Sequence, residues 1–226
     1  MPLMNSREKV LNRVRASLGR SAPASERERE RAQAYMREHL VGPQPAPELD
    51  LVASFEQQSK RLSATVDRVS SLADVPRAVA AYLAREGLGR EAVCWPAYVG
   101  LDWASSGLTV AGRAPSRDMK NQDLVGITGC FAAVAETGTL AMVSGPDSPA
   151  SMNLLPETHI AVVPTDRIVA FMEDVFRMLR KERGGMPRAL NFISGPSRTA
   201  DIEQTLVLGA HGPYRVHLLL MESDPS

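Results

Sequence analysis

Three polar segments in this 226-residue chain combine residue types and spacings that could bind or transform a ligand. The first runs from Thr128 to Thr139, where Glu136 stands beside Thr137, Gly138 and Thr139 with no bulky neighbour to cover it. A carboxylate in that setting can serve as a base, as a nucleophile or as an acceptor of ligand hydroxyls. The plainer alternative is a carboxylate that caps the backbone amides of a tight turn. Gly129 is expected to open a short helix whose unpaired amides could receive an anion. The second segment is the loop Asn153-Leu154-Leu155-Pro156-Glu157-Thr158-His159. Here Glu157 and His159 alternate along the entry to a strand and so point to one side. A carboxylate in that position can hold an imidazole's tautomer and raise its basicity. A satisfied structural histidine is the alternative. The third is read as the loop from Ser194 to Glu203, which carries Ser197-Arg198-Thr199 and then Asp201 and Glu203, with His211-Gly212 shortly beyond. Arg198 can grip a carboxylate or phosphate bidentately, with Ser197 as a further donor. Asp201 and Glu203 could instead cap a helix or pair with Arg198.

Other chemistries lack their signatures. There is no G-x-G-x-x-G after a strand and no G-x-x-x-x-G-K-[ST], so dinucleotide and nucleotide binding by those routes are unsupported. No G-x-S-x-G elbow is present to present a nucleophilic serine. The two cysteines, Cys94 and Cys130, are far apart and read as reduced thiols; no Cys/His spacing demands a metal or cluster, and no cofactor is expected. With 26 basic and 26 acidic side chains, global charge favours neither nucleic acid nor an acidic membrane. No apolar run approaches the ~20 residues of a membrane span, and the N-terminus lacks a signal-peptide core. These features point to the cytosol.

The elements that must position these residues fall into two parts. Residues 1–47 form a helical arm ending in the stiff linker Gly42-Pro43-Gln44-Pro45-Ala46-Pro47. The first 41 residues carry nine Lys/Arg against five Asp/Glu, leaving seventeen against twenty-one in the rest. Asn5 with Glu8 and Ser25 with Glu28 read as capping boxes. The arm is expected to pack on the body or, in a homo-oligomer, on a second subunit; docking to an acidic partner is the sharper alternative. Residues 48–226 alternate short apolar strands with helices, which predicts an α/β domain with a mainly parallel sheet covered by helices. Thr165 is expected to cap a helix whose Ile168, Phe171, Met172, Val175, Phe176 and Leu179 form one face. In such sheets ligands sit beyond the carboxyl ends of the strands, where the strand order reverses. The three polar segments are expected to meet there.

Four stretches within these segments, in order, resemble the signature of the lactate-utilisation domain. They are Ala135-Glu136-Thr137-Gly138-Thr139, Leu155-Pro156-Glu157-Thr158-His159-Ile160, Gly195 to Glu203, and Gly209-Ala210-His211-Gly212-Pro213. The resemblance covers roughly residues 50 to 221 and is closest to the short C type. It implies a fold like the ribose-phosphate isomerase, glucosamine-phosphate deaminase and CoA-transferase group. It also implies a part in oxidising L-lactate to pyruvate together with separate iron–sulfur proteins. Which subunit performs the chemistry is not implied. Under this reading a hydroxy or keto acid is the ligand, Arg198 holds its carboxylate, and His159 or His211 contacts its hydroxyl with Glu136 orienting the histidine. Thr128, Thr137, Gly138, Thr139, Pro156, Glu157, Ser197, Asp201, Glu203 and Gly212 complete the site. A free-standing enzyme of the same fold group, with Glu136 as a CoA-transferase-like nucleophile, and a metabolite-sensing module are the alternatives.

Overall fold

A computed structural model describes residues 6–20, 24–38, 41–116, 124–200, 206–208 and 211–222. The chain divides into two compact units, Met1–Pro45 and Ala46–Ser226. The first contains helices α1 (Ser6–Ser17) and α2 (Glu26–Glu38), neither of which buries a residue. The capping box before α2 is formed: the Ser25 amide donates to Glu28 Oε2 at 2.8 Å, and the Glu28 amide donates back to Ser25 Oγ at 3.3 Å. Asn5 lies outside the described residues.

The second unit begins with α3 (Leu51–Arg61), capped by Asp50, whose side chain accepts from the Ala53 amide at 2.9 Å. In chain order there follow β1 (Thr65–Val69), α4 (Val75–Arg85), β2 (Glu91–Cys94), β3 (Thr109–Ala111), β4 (Val125–Thr128), β5 (Ala132–Val134), β6 (Thr139–Val143), β7 (Thr158–Pro164), β8 (Ile168–Val169), α5 (Met172–Arg183), β9 (Leu190–Ile193), β10 (Arg198–Ala200), β11 (Leu206–Leu208) and β12 (Arg215–Met221). Six of these make one all-parallel sheet in the order β1-β12-β7-β4-β2-β3. The α/β class with a parallel sheet flanked by helices is therefore the fold adopted.

Alternation along the strands sorts the apolar residues into layers. Ile160, Val162, Val125, Ile127 and Leu219 face α4 with Val79, Tyr82 and Leu83. Ala161, Val163, Val216, Leu218 and Leu220 face the opposite way, toward Phe55 of α3 and toward Ala133, Leu140 and Met142. Those last residues belong to a second, four-stranded sheet, ordered β8-β5-β6-β9. Its far side packs Ala132, Val134, Ala141 and Val143 against Val175 and Leu179 of α5.

Three sequence expectations are corrected here. Gly129 opens no helix: the following alanines form β5, which pairs antiparallel with β6 and parallel with β8. No helix N-terminus is therefore available at Gly129 to receive an anion. The helix expected from Thr165 begins only at Met172, because Ile168 and Val169 are taken up as an edge strand beside Ala133 and Val134. Its N-terminus is held by Asp174, whose carboxylate accepts from the Phe171 amide at 2.9 Å. Finally, Arg198 to Ala200 is not a loop but one arm of a hairpin with Leu206–Leu208.

Candidate functional site

The order of the parallel sheet locates its crevice. From β2 the chain leads outward to β3, whereas from β4 it leads the other way to β7. The two exits diverge, so a gap opens beyond the carboxyl ends of β2 and β4. Trp95 follows β2, and Gly129-Cys130 follow β4. A Cβ on Gly129 would lie 2.5 Å from Tyr98 Oη and 3.1 Å from Trp95 Cζ3, so only glycine lets the two exits approach this closely. A cavity of about 460 Å³ lies here, bounded by Trp95, Cys130, Phe131, Ser148, Arg167 and Arg183 among others.

The charged groups of this crevice are organised. Arg167 donates from Nε to the Phe131 carbonyl at 2.9 Å and from both terminal nitrogens to the Glu182 carboxylate at 3.0 Å each. Its guanidinium lies 5.0 Å from the centre of the Phe131 ring, and that of Arg183 lies 5.9 Å away. Arg183 makes no ion pair among the described residues. Burial pushes the half-buried Cys130 thiol up to about 12, so it stays protonated and is a poor nucleophile at neutral pH. Ser148 donates to the Val143 carbonyl at 2.8 Å. Behind the crevice, between the two sheets, runs a narrow recess that Trp95 also lines, together with Asn153 and Asn191. Two of its polar atoms, Trp95 Nε1 and Asn153 Oδ1, are buried without a hydrogen-bond partner among the described residues.

The residues singled out in the sequence gather elsewhere. The turn carrying Glu136 is the tip of the β5–β6 hairpin, whose base, at Phe131 and Val143, is what borders the crevice. Four residues of strand separate tip from base, roughly 13 Å. The tip docks on α3: Gly138 has φ +62°, and a Cβ there would meet the Ser59 amide at 2.5 Å. Thr139 Oγ1 shares hydrogen bonds with Thr137 Oγ1 at 2.8 Å and with Ser194 Oγ at 2.7 Å. Gly195, with φ +75°, packs on the Leu62 carbonyl, and Arg198 donates to Ser63 Oγ. Ser197 accepts from the His211 amide at 3.4 Å and donates its own amide to the Pro213 carbonyl at 2.9 Å. A side chain on Gly212 would touch Ser197 Cβ at 3.4 Å. Because Ser63 precedes β1 and Pro213 precedes β12, this cluster lies at the amino ends of the strands, across the sheet from the crevice.

His159 stands apart from that cluster. It is fully buried between the sheets, opposite Gly126, and its Nε2 shares a 2.7 Å hydrogen bond with Thr128 Oγ1. Pro156 and the Met152 carbonyl cover Gly126 so closely that a Cβ there would come within 2.7 and 2.8 Å of them. Burial lowers the imidazole's pKa to about 4, so it is neutral at physiological pH. Glu157 is exposed and is not its partner. The Glu136 carboxylate is exposed and makes no hydrogen bond or ion pair among the described residues, so it orients neither His159 nor His211. Asp201 and Glu203 lie outside the described residues. No cluster of three metal-ligating side chains occurs among those described.

Similarity to known proteins bears on which family this architecture represents. The model of the LUD domain matches residues 52–221. The chain belongs to the LUD domain family. A lactate utilization protein C from an Exiguobacterium strain is 32% identical to it over 230 aligned residues, which take in 96% of each chain. The protein of the same name from Bacillus subtilis is 37% identical over a stretch covering 53% of each. For that from Halalkalibacterium halodurans the matched stretch is 43% identical and spans 44% of the relative's length. A crystal structure of a DUF162 family protein from Deinococcus radiodurans superposes with a TM-score of 0.56 at 24% identity, covering 78% of this chain and 99% of that one. That likeness bears on the fold alone.

Within this LUD domain, sequence reasoning passed over Trp95, Ser148, Arg167 and Arg183, and placed Asn153 in a polar loop without giving it a role. The signal available was positional. Trp95 directly follows one buried strand and Gly129 directly follows another, but only the strand order makes the two neighbours.

Proposed function

We propose that this chain is a component of an L-lactate utilisation system, acting with separate iron–sulfur proteins in the oxidation of L-lactate to pyruvate. Its part is that of an accessory or substrate-binding subunit. The observation that carries this reading is the similarity along 96% of both chains to a protein named lactate utilization protein C. Oxidising a hydroxy acid to a keto acid releases two electrons. The two cysteines of this chain cannot furnish the four thiolates of a cluster, so partner proteins carrying clusters supply that route. The neutral, buried His159 and the protonated Cys130 favour a binding and scaffolding role over nucleophilic chemistry.

The test is association. Mixed in pure form under reducing, anaerobic conditions, this chain should co-elute with the two iron–sulfur proteins of its own system. Separate elution of all three across micromolar concentrations would count decisively against the reading.

A further inference from the structure

We propose that the crevice between the carboxyl ends of β2 and β4 binds a small monocarboxylate of the 2-hydroxy or 2-oxo acid class, with Arg183 as the charge anchor and the Trp95 indole N–H as the second donor. The choice of acid rests on the lactate-utilisation reading; the site itself rests on the geometry. The place is the switch point of a parallel sheet, where the backbone leaves an opening. Its charge is matched to one anionic group. Arg167 is neutralised by two hydrogen bonds to Glu182, which leaves the Arg183 guanidinium beside the Phe131 ring with no ion pair among the described residues. Beside the polar Cys130 and Ser148, the walls formed by Trp95, Phe131, Val143 and Pro164 are apolar and suit a short alkyl group.

The second observation concerns the back wall. Asn153 is 3% exposed, yet among the described residues its carbonyl oxygen has no partner, and the buried Trp95 N–H also has none. Native proteins rarely leave such groups unpaired, and each such instance calls for a physical reason. A 2-hydroxy acid meets both needs: its carboxylate accepts from the indole N–H, and its hydroxyl donates to the Asn153 oxygen. A keto acid meets the first directly, and the second when the Asn153 amide turns over to present its N–H. The recess in front of these groups is too narrow for a water molecule in this conformation. The indole must therefore swing toward the crevice as the ligand enters. Trp95 is one of two tryptophans, and the other, Trp103, is 5% exposed with its N–H on the Tyr98 carbonyl at 2.8 Å.

That asymmetry supplies the readout. In a Trp103→Phe background, emission from Trp95 should change saturably on titration with L-lactate or pyruvate, with calorimetry reporting the same affinity. Trp95→Phe, followed by calorimetry alone, and Arg183→Gln should each weaken binding by about tenfold to a hundredfold, the range for a hydrogen bond to a charged group. Arg183→Gln changes an exposed side chain and should melt like the unsubstituted chain, whereas Trp95→Phe exchanges the indole for a smaller ring and should stay folded with a lower melt. Equal binding by the unsubstituted chain and both variants overturns the site. Binding of inorganic phosphate in preference to both acids overturns the carboxylate class. Failure of the chain to bind either acid, while it still co-elutes with the iron–sulfur proteins, overturns this proposal and leaves the parent reading standing. Binding through Trp95 and Arg183 without co-elution supports this proposal and sinks the parent reading.

Discussion

Acidification should destabilise this fold through His159, in a window set by its burial. The imidazole is enclosed between two sheets with Thr128 as its hydrogen-bond partner, and its pKa lies at about 4 in the folded chain. The unfolded value is about 6.5. Between those values the unfolded chain binds a proton that the folded chain refuses, so stability rises with pH across the window. The contribution is fully present above the unfolded value and is lost progressively as pH falls toward 4. A displacement of this size is worth roughly 3 kcal/mol when fully expressed, and roughly 1 to 2 kcal/mol at about pH 5.5. His217 adds a parallel slope: it is fully buried against Tyr82, and burial lowers its pKa to about 4 despite Asp67 at 3.5 Å. Urea unfolding of the whole chain at a series of pH values between 7.5 and 4.5 would measure the combined slope. His159→Gln, which can keep a bond to Thr128, isolates the His159 share. The variant should lose less stability than the parent on acidification, by the amounts above. Parallel losses in parent and variant would refute the claim that a buried neutral His159 is part of this fold.

Gly138→Ala should cost about 2 to 5 kcal/mol. That sum combines a left-handed backbone, about 1 to 2 kcal/mol, with the overpacking of a Cβ against the α3 backbone, about 1 to 3 kcal/mol. Thermal melts would check it, and an unshifted melt would mean the hairpin tip does not dock on α3. Gly126→Ala should destabilise by about 1 to 3 kcal/mol, because the new methyl meets Pro156 and the Met152 carbonyl. Glu136→Gln should stay within about 0.5 kcal/mol of the parent in urea unfolding, since the carboxylate is exposed and makes no hydrogen bond or ion pair among the described residues. A larger loss would give Glu136 a structural role that its surroundings do not explain.

Much of the fold was legible because single elements advertise themselves locally. The unbroken apolar run from His159 to Val163 belongs to a strand buried on both faces, and the apolar stripe through Val175 and Leu179 belongs to a helix covering a sheet. What stayed hidden depends on pairing. Ala132-Ala133-Val134 has too few residues for its period to separate helix from strand, and its state is decided by partners seven and thirty-five residues further on, at Leu140 and Ile168. The same dependence moved the start of α5, since Ile168 fits the helical stripe equally well until β5 takes it. The polar segments were legible as special but not in their placement. Gly138 and Gly195 stand where they do because α3 and Leu62 press against them, which composition cannot reveal. Trp95 reads from sequence as the tail of a buried strand. Its position at the sheet's switch point follows only from the order in which distant strands pair.

The most direct test of the functional account is reconstitution of L-lactate oxidation from purified proteins, with reduction of an artificial electron acceptor followed under anaerobic conditions. The two iron–sulfur proteins should oxidise L-lactate at the full rate only when this chain is added, and the Arg183→Gln variant in its place should demand more lactate for half-maximal rate. An undiminished rate from the iron–sulfur proteins alone, at every lactate concentration, would contradict it.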